Sequence, residues 1–145
     1  MNFFIAETLR LYTVLPLISR RAVNDYEIPG YPNFAIKKDM NITIPACSVH
    51  LDPEYYPNPK VFNPDNFADD VVAQRPPCLW LPFGEGPRNC IGMRFGKMQT
   101  IIGLVMLLRN FRFSTCDQTE IPLTYDKTSF MLTTEKGIYL KVEKL

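Results

Sequence analysis

The sequence has few of the residues from which most metal and redox sites are built. It contains one histidine and four cysteines, and the cysteines at positions 47, 78, 90 and 116 form no C-x-x-C pair. This spacing argues against a zinc ribbon and against a thioredoxin-type site. Cys47 and His50 have metal-ligand spacing, but no second pair exists, so the ligand count disfavours a structural zinc site.

Strong net charge and long apolar runs are also lacking. A net charge of +1 leaves no electrostatic footprint for nucleic acid. The longest strongly apolar run, Ile101–Leu108, is far too short to cross a bilayer. No signal peptide is predicted, because Glu7 and Arg10 interrupt the N-terminal segment before an apolar run of sufficient length is reached. The sequence therefore predicts a soluble chain of a reducing compartment that carries no targeting signal of its own.

What is present is the composition of one folded domain. Hydrophobic residues make up 46% of the chain and charged residues 21%, which is typical of a globular protein. A length of 145 residues is enough for one core. Prolines outnumber glycines by thirteen to seven, and most of the prolines lie between Pro45 and Pro87.

Helix and strand patterns alternate along the first third of the chain. Residues 1–12, "MNFFIAETLRLY", contain no glycine or proline and are apolar on nearly every face. This pattern predicts a helix that is buried on all sides. Short strands in hairpins are predicted in "YEIPGY", "FAIKK" and "NITIPACSV", with turn residues between them.

The rest of the chain predicts a long coil, one long helix and closing strands. Residues 51–87 lack periodicity, and a structureless stretch of this length in a compact domain is usually functional. A helix is predicted from Ile91 to Asn110, followed by a strand in "FRFST". The segments "SFMLTT" and "GIYLKVE" are predicted to form a C-terminal β-hairpin with its turn at residues 135–137. Together the elements predict an α+β fold.

Two charged residues interrupt the apolar first helix. Glu7 and Arg10 are three residues apart and lie on neighbouring faces of a helix. An exposed pair of this kind contributes little to stability. Because the helix has almost no polar face, we predict instead a buried pair, which needs good geometry and further partners. Such a pair holds a scaffold in place rather than adding net stability.

The stretch "FGEGPRNCIG", residues 83–92, surrounds one cysteine with three glycines, a proline and an arginine. Glycine in a loop indicates a positive φ or a close approach of the backbone to another group. Cys90 lies where this loop becomes the predicted long helix. The helix dipole and the loop N–H groups at such a position favour a thiolate over a thiol.

Four interpretations of Cys90 compete. A buried inert cysteine is the default for an isolated residue. A redox or nucleophilic cysteine would need a histidine or a second cysteine nearby, and His50 is the only histidine. A phosphate-binding loop would need a glycine pattern that "GEGPRNCIG" does not match. A metal-ligating thiolate explains more, because the glycines admit a large flat group, Arg88 can face an anionic substituent and loop N–H groups can bond the sulfur. Haem fits all of these requirements.

The sequence resembles the cytochrome P-450 superfamily, the haem-thiolate monooxygenases, from its first residue to its last. The family signature F-x-x-G-x-R-x-C-x-G is matched at Phe83, Gly86, Arg88, Cys90 and Gly92. "ETLR" matches the E-x-x-R helix motif, and "PDNF" stands where the family has a P-E-R-F-like motif. The resemblance is strongest to the insect and vertebrate microsomal branch that handles foreign compounds, judged from "HLDPEYYPNPKVFNPDNF" and "PFGEGPRNCIGMRFGKMQ".

The resemblance implies a role for each residue of the signature. Cys90 would be the axial ligand of the haem iron, and its thiolate would favour O–O cleavage, as is known for this family. Phe83 would lie near the sulfur on the proximal side of the haem. Arg88 would pair with a haem propionate, and Gly86 and Gly92 would admit the porphyrin.

Other positions also take roles from the resemblance. Glu7 and Arg10 would form the buried scaffold pair. Asn66 stands where the family usually has an arginine, and an amide cannot form the bidentate ion pair, which puts the buried charge network in doubt. The segment "YTVLPLIS" and the turn at Ser129–Leu132 would border the substrate pocket.

The function implied is a monooxygenase that inserts one oxygen atom of O2 into an apolar organic substrate. Its cofactor would be haem b, with electrons from NADPH through a flavoprotein reductase. Arg94 and Lys97 are candidate contacts for the reductase, with solvated surface as the alternative. The full-length protein would lie on the cytosolic face of the endoplasmic reticulum membrane, held there by an N-terminal anchor.

Residues 1–145 are expected to be the C-terminal haem-binding portion of a single P-450 domain, without the oxygen-activating distal helix. The chain alone is then expected to carry no catalytic residue, to be inactive, and to leave Glu7 and Arg10 partly wet. One alternative is a non-catalytic or degenerate haem-binding fragment. Another is a structural α+β domain that no longer binds haem.

Overall fold

The structure, a computed structural model, describes residues 2–145 and has the predicted mixed α+β class. Met1, with which the predicted first helix begins, lies outside the described residues. The helices are α1 (Asn2–Leu11), α2 (Ala46–His50), α3 (Asp69–Gln74) and α4 (Met93–Asn110), with a 3-10 turn at Pro64–Phe67. The strands are β1 (Ile18–Arg21), β2 (Tyr26–Glu27), β3 (Ala35–Ile36), β4 (Asn41–Ile44), β5 (Phe111–Ser114) and β6 (Lys141–Lys144).

The strands form three small antiparallel pairs. β1 pairs with β4 in a register that places Ile18 opposite Ile44. β2 pairs with β3, and β5 pairs with β6. Side chains alternate between the two faces of a strand, so Ile18 and Arg20 of β1 share one face. This face points toward the cysteine loop described below.

The predicted C-terminal hairpin is wrong in its pairing. β6 pairs with β5, the strand that follows the long helix, and not with "SFMLTT". The segment before β6 closes a small loop of its own, in which Tyr125 bridges Thr134. Alternation along the sequence indicates strands, but the partner of a strand depends on contacts between distant segments.

Three further boundaries differ from the sequence predictions. The predicted strand "NITIPACSV" ends at Ile44, and the chain turns into α2 after Pro45. The predicted coil over residues 51–87 contains the 3-10 turn and α3. The long helix begins at Met93 instead of Ile91, with Gly92 as its N-cap.

The most deeply buried side chains are largely polar. Arg10, Glu7, His50 and Tyr56 are fully buried, and they come from α1, α2 and the segment that follows α2. The tightest part of the structure is therefore a polar network between α1 and the coil. Few apolar residues among positions 2–145 join it.

The prediction that the first helix is buried on all sides is wrong in this chain. Ile5, Glu7 and Arg10 are buried, but Phe3 and Phe4 are 42% and 52% exposed. α1 packs one face against the 3-10 turn and α2, and Phe4 lies 5.0 Å from the Phe62 ring, but Phe3 and Phe4 stay largely exposed within residues 2–145.

The long helix α4 also leaves its apolar side chains uncovered. Within the described chain, no residue of α4 is buried. Phe95, Ile102 and Met106 are 65%, 56% and 60% exposed. Their spacing, with Met98 between them, places them along one side of the helix. α4 thus carries a continuous exposed apolar row.

Candidate functional site

The cysteine loop folds back on itself before α4 begins. The Cys90 N–H donates to the Phe83 carbonyl at 2.8 Å, which closes the loop. Inside it, the Gly84 N–H donates to the Leu81 carbonyl at 3.0 Å and the Asn89 N–H donates to the Gly86 carbonyl at 3.1 Å. These three bonds fix the path of the backbone from Leu81 to Cys90.

Two of the loop glycines are required by backbone conformation. Gly84 and Gly86 have φ values of +69° and +82°, in the left-handed region that favours glycine. Gly92 differs, because its φ is −86°. A Cβ at Gly92 would lie 3.9 Å from the Cys90 sulfur. Glycine at this position therefore keeps the neighbourhood of the sulfur open.

Cys90 lies three residues before the first residue of α4. Its carbonyl accepts from the Met93 N–H at 3.2 Å, so the cysteine is tied to the first turn. Its side chain is exposed. The loop N–H hydrogen bonds to the sulfur that the sequence suggested are not formed among residues 2–145, and the Cys90 N–H itself donates to the Phe83 carbonyl.

An apolar cavity of about 470 Å³ opens beside Cys90. Phe83, Arg88 and Cys90 of the loop line one side of it. Apolar side chains from α1, from the segment after it and from the later chain line the rest: Leu9, Val14, Leu15, Ile18, Leu81, Pro82 and Met131. The cavity is therefore mostly apolar, with the Cys90 sulfur on one side and positive charge at one edge.

The charged edge is formed by two arginines, one of which the sequence analysis missed. Arg20 lines the same cavity as Arg88, and its Nη2 donates to the Arg88 carbonyl at 3.3 Å. In the part of the chain that is described, neither guanidinium forms an ion pair with a carboxylate. The only sequence signal for Arg20 was its alternation with Ile18, and this was hidden because β1 was not predicted.

The two segments expected to border a pocket meet at this cavity. The Leu132 N–H donates to the Val14 carbonyl at 2.9 Å, which joins "YTVLPLIS" to the turn at Ser129–Leu132. Val14 and Met131 both line the cavity with Cys90. A bond between residues this far apart along the chain places both segments on the same wall.

Phe83 is held in place by neighbouring aromatic rings and by a lysine. The Trp80 ring lies edge-on to Phe83, with 6.3 Å between centroids, and edge-on to Phe67 at 5.7 Å. The Lys97 ammonium lies 4.8 Å from the Trp80 centroid and 5.6 Å from that of Phe83. Lys97 is thus engaged with rings, whereas Arg94 is exposed.

The E-x-x-R residues form a fully satisfied pair at the back of the site. Arg10 Nε and Nη2 donate to the two Glu7 oxygens at 2.7 Å each, and both side chains are 0% exposed. Arg10 Nη1 donates to the His50 and Pro59 carbonyls at 2.7 Å, and Nη2 also reaches the Val61 carbonyl at 3.4 Å. All five guanidinium donors are used. The expectation that this pair is partly wet in the chain alone is wrong.

The Glu7 carboxylate is stabilised by more than its arginine. Its Oε1 accepts from the Asn63 N–H at 2.9 Å and from Asn66 Nδ2 at 3.2 Å. Burial by itself raises the pKa of Glu7, but the hydrogen bonds from Arg10 and Asn63 and the charge of Arg10 outweigh it. The pKa of Glu7 therefore lies below its ordinary value, and Glu7 is ionised at neutral pH.

The network closes with Asn66 in the place of an arginine. Asn66 makes one hydrogen bond to Glu7 rather than a bidentate ion pair. A different arginine supports it, because Arg75 Nη2 donates to the Asn66 carbonyl at 2.7 Å. The Arg75 guanidinium stacks on Tyr56, 4.2 Å from its centroid. A cation thus lies next to the network without contacting Glu7.

The residues around the cavity fit the group that the loop suggests. A flat, mainly apolar group with anionic substituents at one edge would find apolar walls and two arginines without carboxylate partners. Its metal would face a cysteine sulfur, the soft ligand that suits iron in haem and in iron–sulfur clusters. Within residues 2–145, no cluster of three other metal-ligating side chains offers an alternative. The side chains around this cavity thus fit a haem protein as the class.

Comparison with known proteins assigns the chain to a family. The sequence profile of the cytochrome P450 family matches residues 1–142. The chain belongs to the cytochrome P450 family. Within it, the chain is 53% identical over 141 residues to "Probable cytochrome P450 6a21" and 54% identical over 141 residues to "Cytochrome P450 6a9", both from Drosophila melanogaster. It is 52% identical to "Cytochrome P450 6a2" of the same organism over all 145 residues.

These relatives are much longer than the chain. The matches cover 97% to 100% of the chain but only 28% to 29% of each relative. Across residues 2–145, no helix is long and apolar enough to span a membrane.

Proposed function

We propose that this chain binds haem, with Cys90 as the axial thiolate ligand of the iron. The observation that carries the proposal is the shared cavity, in which Cys90, Phe83 and two arginines without carboxylate partners meet apolar walls. Thiolate ligation of haem is the arrangement for which the cytochromes P450 are the standard example. This site suits haem b, the form that is held only by its axial ligand and by non-covalent contacts with the surrounding side chains.

Each residue of the site has a part in holding the group. Arg20 and Arg88 pair with the propionates, and each charge-assisted hydrogen bond is among the stronger ones available. Gly86 allows the loop to turn at a positive φ, and Gly92 leaves room beside the sulfur. Phe83 packs beside Cys90 and is kept in place by Trp80 and Lys97.

The whole protein is proposed to be a monooxygenase for small apolar substrates. When bound, haem supplies the activation of molecular oxygen, of which one atom is transferred to the substrate. Leu15, Val14 and Met131 present the apolar wall on which such a substrate can rest while water is kept away. The residues of this chain bind, orient and exclude water, and none of them is proposed to transfer a proton.

Electrons are proposed to come from NADPH through a flavoprotein reductase at the endoplasmic reticulum membrane. Such a partner would approach the side of the cysteine loop and the start of α4. Arg94 is exposed there and suits an acidic partner surface. Lys97 is less suited, because its ammonium packs on Trp80 and Phe83.

The test is the spectrum of full-length protein that contains this chain. In the reduced, carbon-monoxide-bound state we expect the red-shifted Soret band of thiolate ligation. Cys90→Ala should lose this band, while Cys47→Ala, Cys78→Ala and Cys116→Ala should keep it, because only Cys90 lies in the loop. An unchanged band in Cys90→Ala would overturn the proposal.

Substitution of the two arginines that line the cavity, Arg20 and Arg88, is a second test of the proposal. Arg20→Gln and Arg88→Gln should each weaken haem retention by roughly ten- to a hundredfold, the value of one hydrogen bond to a charged group. Arg21→Gln is the matched control, because Arg21 is the next residue of β1, points to the other face and pairs with Asp39 at 3.1 Å. Equal effects at Arg20 and Arg21 would contradict a propionate role for Arg20.

A further inference from the structure

The single histidine lies at the centre of a hydrogen-bond chain that no part of the proposed function uses. His50 is completely buried at the end of α2. Its Nδ1 lies 2.7 Å from Thr13 Oγ1, and its Nε2 accepts from the Leu81 N–H at 2.7 Å. Both ring nitrogens are therefore engaged, one on each side of the ring.

The direction of every bond in this chain follows from its ends. A backbone N–H can only donate, so the Leu81 bond requires His50 Nε2 to be without a proton. A neutral imidazole then carries its proton on Nδ1 and donates it to Thr13 Oγ1. The Thr13 hydroxyl is left to donate to the Arg10 carbonyl, 3.0 Å away. Burial holds the pKa of His50 at about 4, so the ring is neutral at pH 7.

This directed chain connects the E-x-x-R helix to the start of the cysteine loop. Leu81 is itself buried, and its carbonyl accepts from the Gly84 N–H. Two residues later, the Phe83 carbonyl accepts from the Cys90 N–H. Two hydrogen bonds hold the entry to the loop: Trp80 Nε1 donates to the Ala6 carbonyl at 3.2 Å, and the Leu81 N–H donates to this histidine, which in turn contacts Thr13.

We infer that Thr13 and His50 are a positioning pair that sets the position of the Cys90 thiolate through Leu81. The inference rests on the proposed haem-thiolate function and adds two residues to it. The Leu81 N–H fixes the tautomer of His50, Thr13 accepts the resulting Nδ1–H and so holds the ring in place, and the ring anchors the loop at Leu81. Neither residue contacts the haem or the substrate.

Removal of the Thr13 hydroxyl tests whether Thr13 holds the His50 ring in place. In Thr13→Val the shape is retained, but His50 Nδ1–H loses its acceptor inside a buried site. A shift of the proton to Nε2 would set a donor against the Leu81 N–H, so the ring can regain an acceptor only by turning, and its bond to Leu81 then weakens. Thr13→Ser keeps the hydroxyl. Thr8→Val makes the same substitution earlier on the same segment, at a hydroxyl that bonds only the Phe4 carbonyl.

The experiment uses full-length, haem-loaded protein in the diamagnetic reduced carbon-monoxide state. Amide hydrogen exchange is measured at single residues, together with the fraction of haem that shows the thiolate Soret band. We expect Leu81 exchange to be about tenfold faster in Thr13→Val, with no change in α4 amides and a lower thiolate fraction. Thr13→Ser and Thr8→Val should match the wild-type protein. Faster exchange throughout the protein would indicate a merely structural role and would overturn the inference.

The tautomer itself provides a test that needs no folded Thr13 variant. Nitrogen-15 NMR of wild-type protein, with the His50 signal identified by its loss in His50→Gln, should show a protonated Nδ1 and an unprotonated Nε2. A proton on Nε2 would overturn the inference. The proposed function fails separately, since wild-type protein without a thiolate Soret band refutes haem ligation whichever tautomer His50 adopts.

Discussion

At the scale of single residues, Glu7 and Arg10 form a fully buried charge pair whose hydrogen bonds are all made to protein groups. Every donor of the guanidinium has an acceptor, and the carboxylate accepts from Arg10, Asn63 and Asn66. A buried pair that loses one partner leaves an uncompensated charge, which costs far more than the pair contributes by its presence. The pair therefore makes the surrounding coil sensitive to single substitutions.

We predict that Glu7→Gln destabilises the protein by about 3–5 kcal/mol, because the Arg10 guanidinium is left buried without its carboxylate. The measurement is the free energy of unfolding of full-length protein from denaturant titration, with haem content read in parallel. Glu143→Gln is the control, since Glu143 pairs with Lys141 at the surface, and we expect little change there. A fully stable, haem-loaded Glu7→Gln would contradict the prediction.

His50 makes the same region sensitive to acid. Its pKa is held at about 4 mainly by burial; a hydrogen bond with the Arg10 backbone acts the other way, and the charge of Arg10 lowers the pKa further. An unfolded histidine titrates near pH 6.5. The unfolded state thus binds a proton between pH 6.5 and 4 that the folded state does not, and stability falls as the pH falls through this range.

Between pH 7 and pH 5 we predict a loss of roughly 2 kcal/mol that depends on His50. The measurement is denaturant unfolding of wild-type protein and His50→Gln at both pH values. His50→Gln should start lower and lose less on acidification, because it has no ring to protonate. The pKa of Glu7 is lowered from its ordinary value of 4.5, so the contribution of Glu7 is kept above that pH and is lost only at more acid pH. An equal loss in both proteins would contradict the assignment.

At the scale of secondary-structure elements, glycine has different effects on stability in the cysteine loop and in α4. Gly86 has a φ of +82° and no atom near the position of a Cβ, so backbone conformation alone requires glycine there. Gly103 lies inside α4, also with free space around a Cβ. The same substitution should therefore have opposite effects at these two positions.

We predict that Gly86→Ala costs about 1–2 kcal/mol, because alanine resists a left-handed conformation. Gly103→Ala should instead gain roughly 0.5–1 kcal/mol, because glycine in a helix loses more backbone entropy on folding. Thermal unfolding of full-length protein measures both. Destabilisation by Gly103→Ala would show that another part of the protein packs against this side of α4.

At the scale of the whole molecule, the chain exposes more apolar surface than a protein of its size normally does. Phe3 and Phe4 of α1 and the row along α4 are uncovered in the described structure. Large contiguous apolar patches mark either a missing partner or a risk of aggregation. The chain spans 28% to 29% of its relatives' length, so in a protein of their length other segments are available to cover this surface.

We predict that residues 1–145 expressed alone self-associate and show no monooxygenase activity with haem, reductase and NADPH. Light scattering should give a mass well above the 16.7 kDa of one chain. Ile102→Glu combined with Met106→Glu should shift the mass toward the monomer, because both residues lie in the exposed row of α4. A monodisperse monomer or robust product formation would contradict the prediction.

What the sequence determined by itself is local. The pairing of Glu7 with Arg10, the cysteine loop, the long helix and the α+β class all depend on residues close together in the chain, whose spacing can be read directly. The positive φ of Gly84 and Gly86 follows the same rule, since turn conformation depends on neighbouring residues.

What only the tertiary structure decided is the set of partners that come from far along the chain. Arg20 joins Arg88 across 68 positions, and Asn66 joins Glu7 across 59. His50 is hydrogen-bonded to Thr13 and Leu81, and β6 pairs with β5. Periodicity records which face of an element is apolar, but it carries no information about the neighbour that the face meets. That neighbour is set by how the elements pack, because hydrogen bonds of 2.7 to 3.3 Å form only where packing brings two distant segments together.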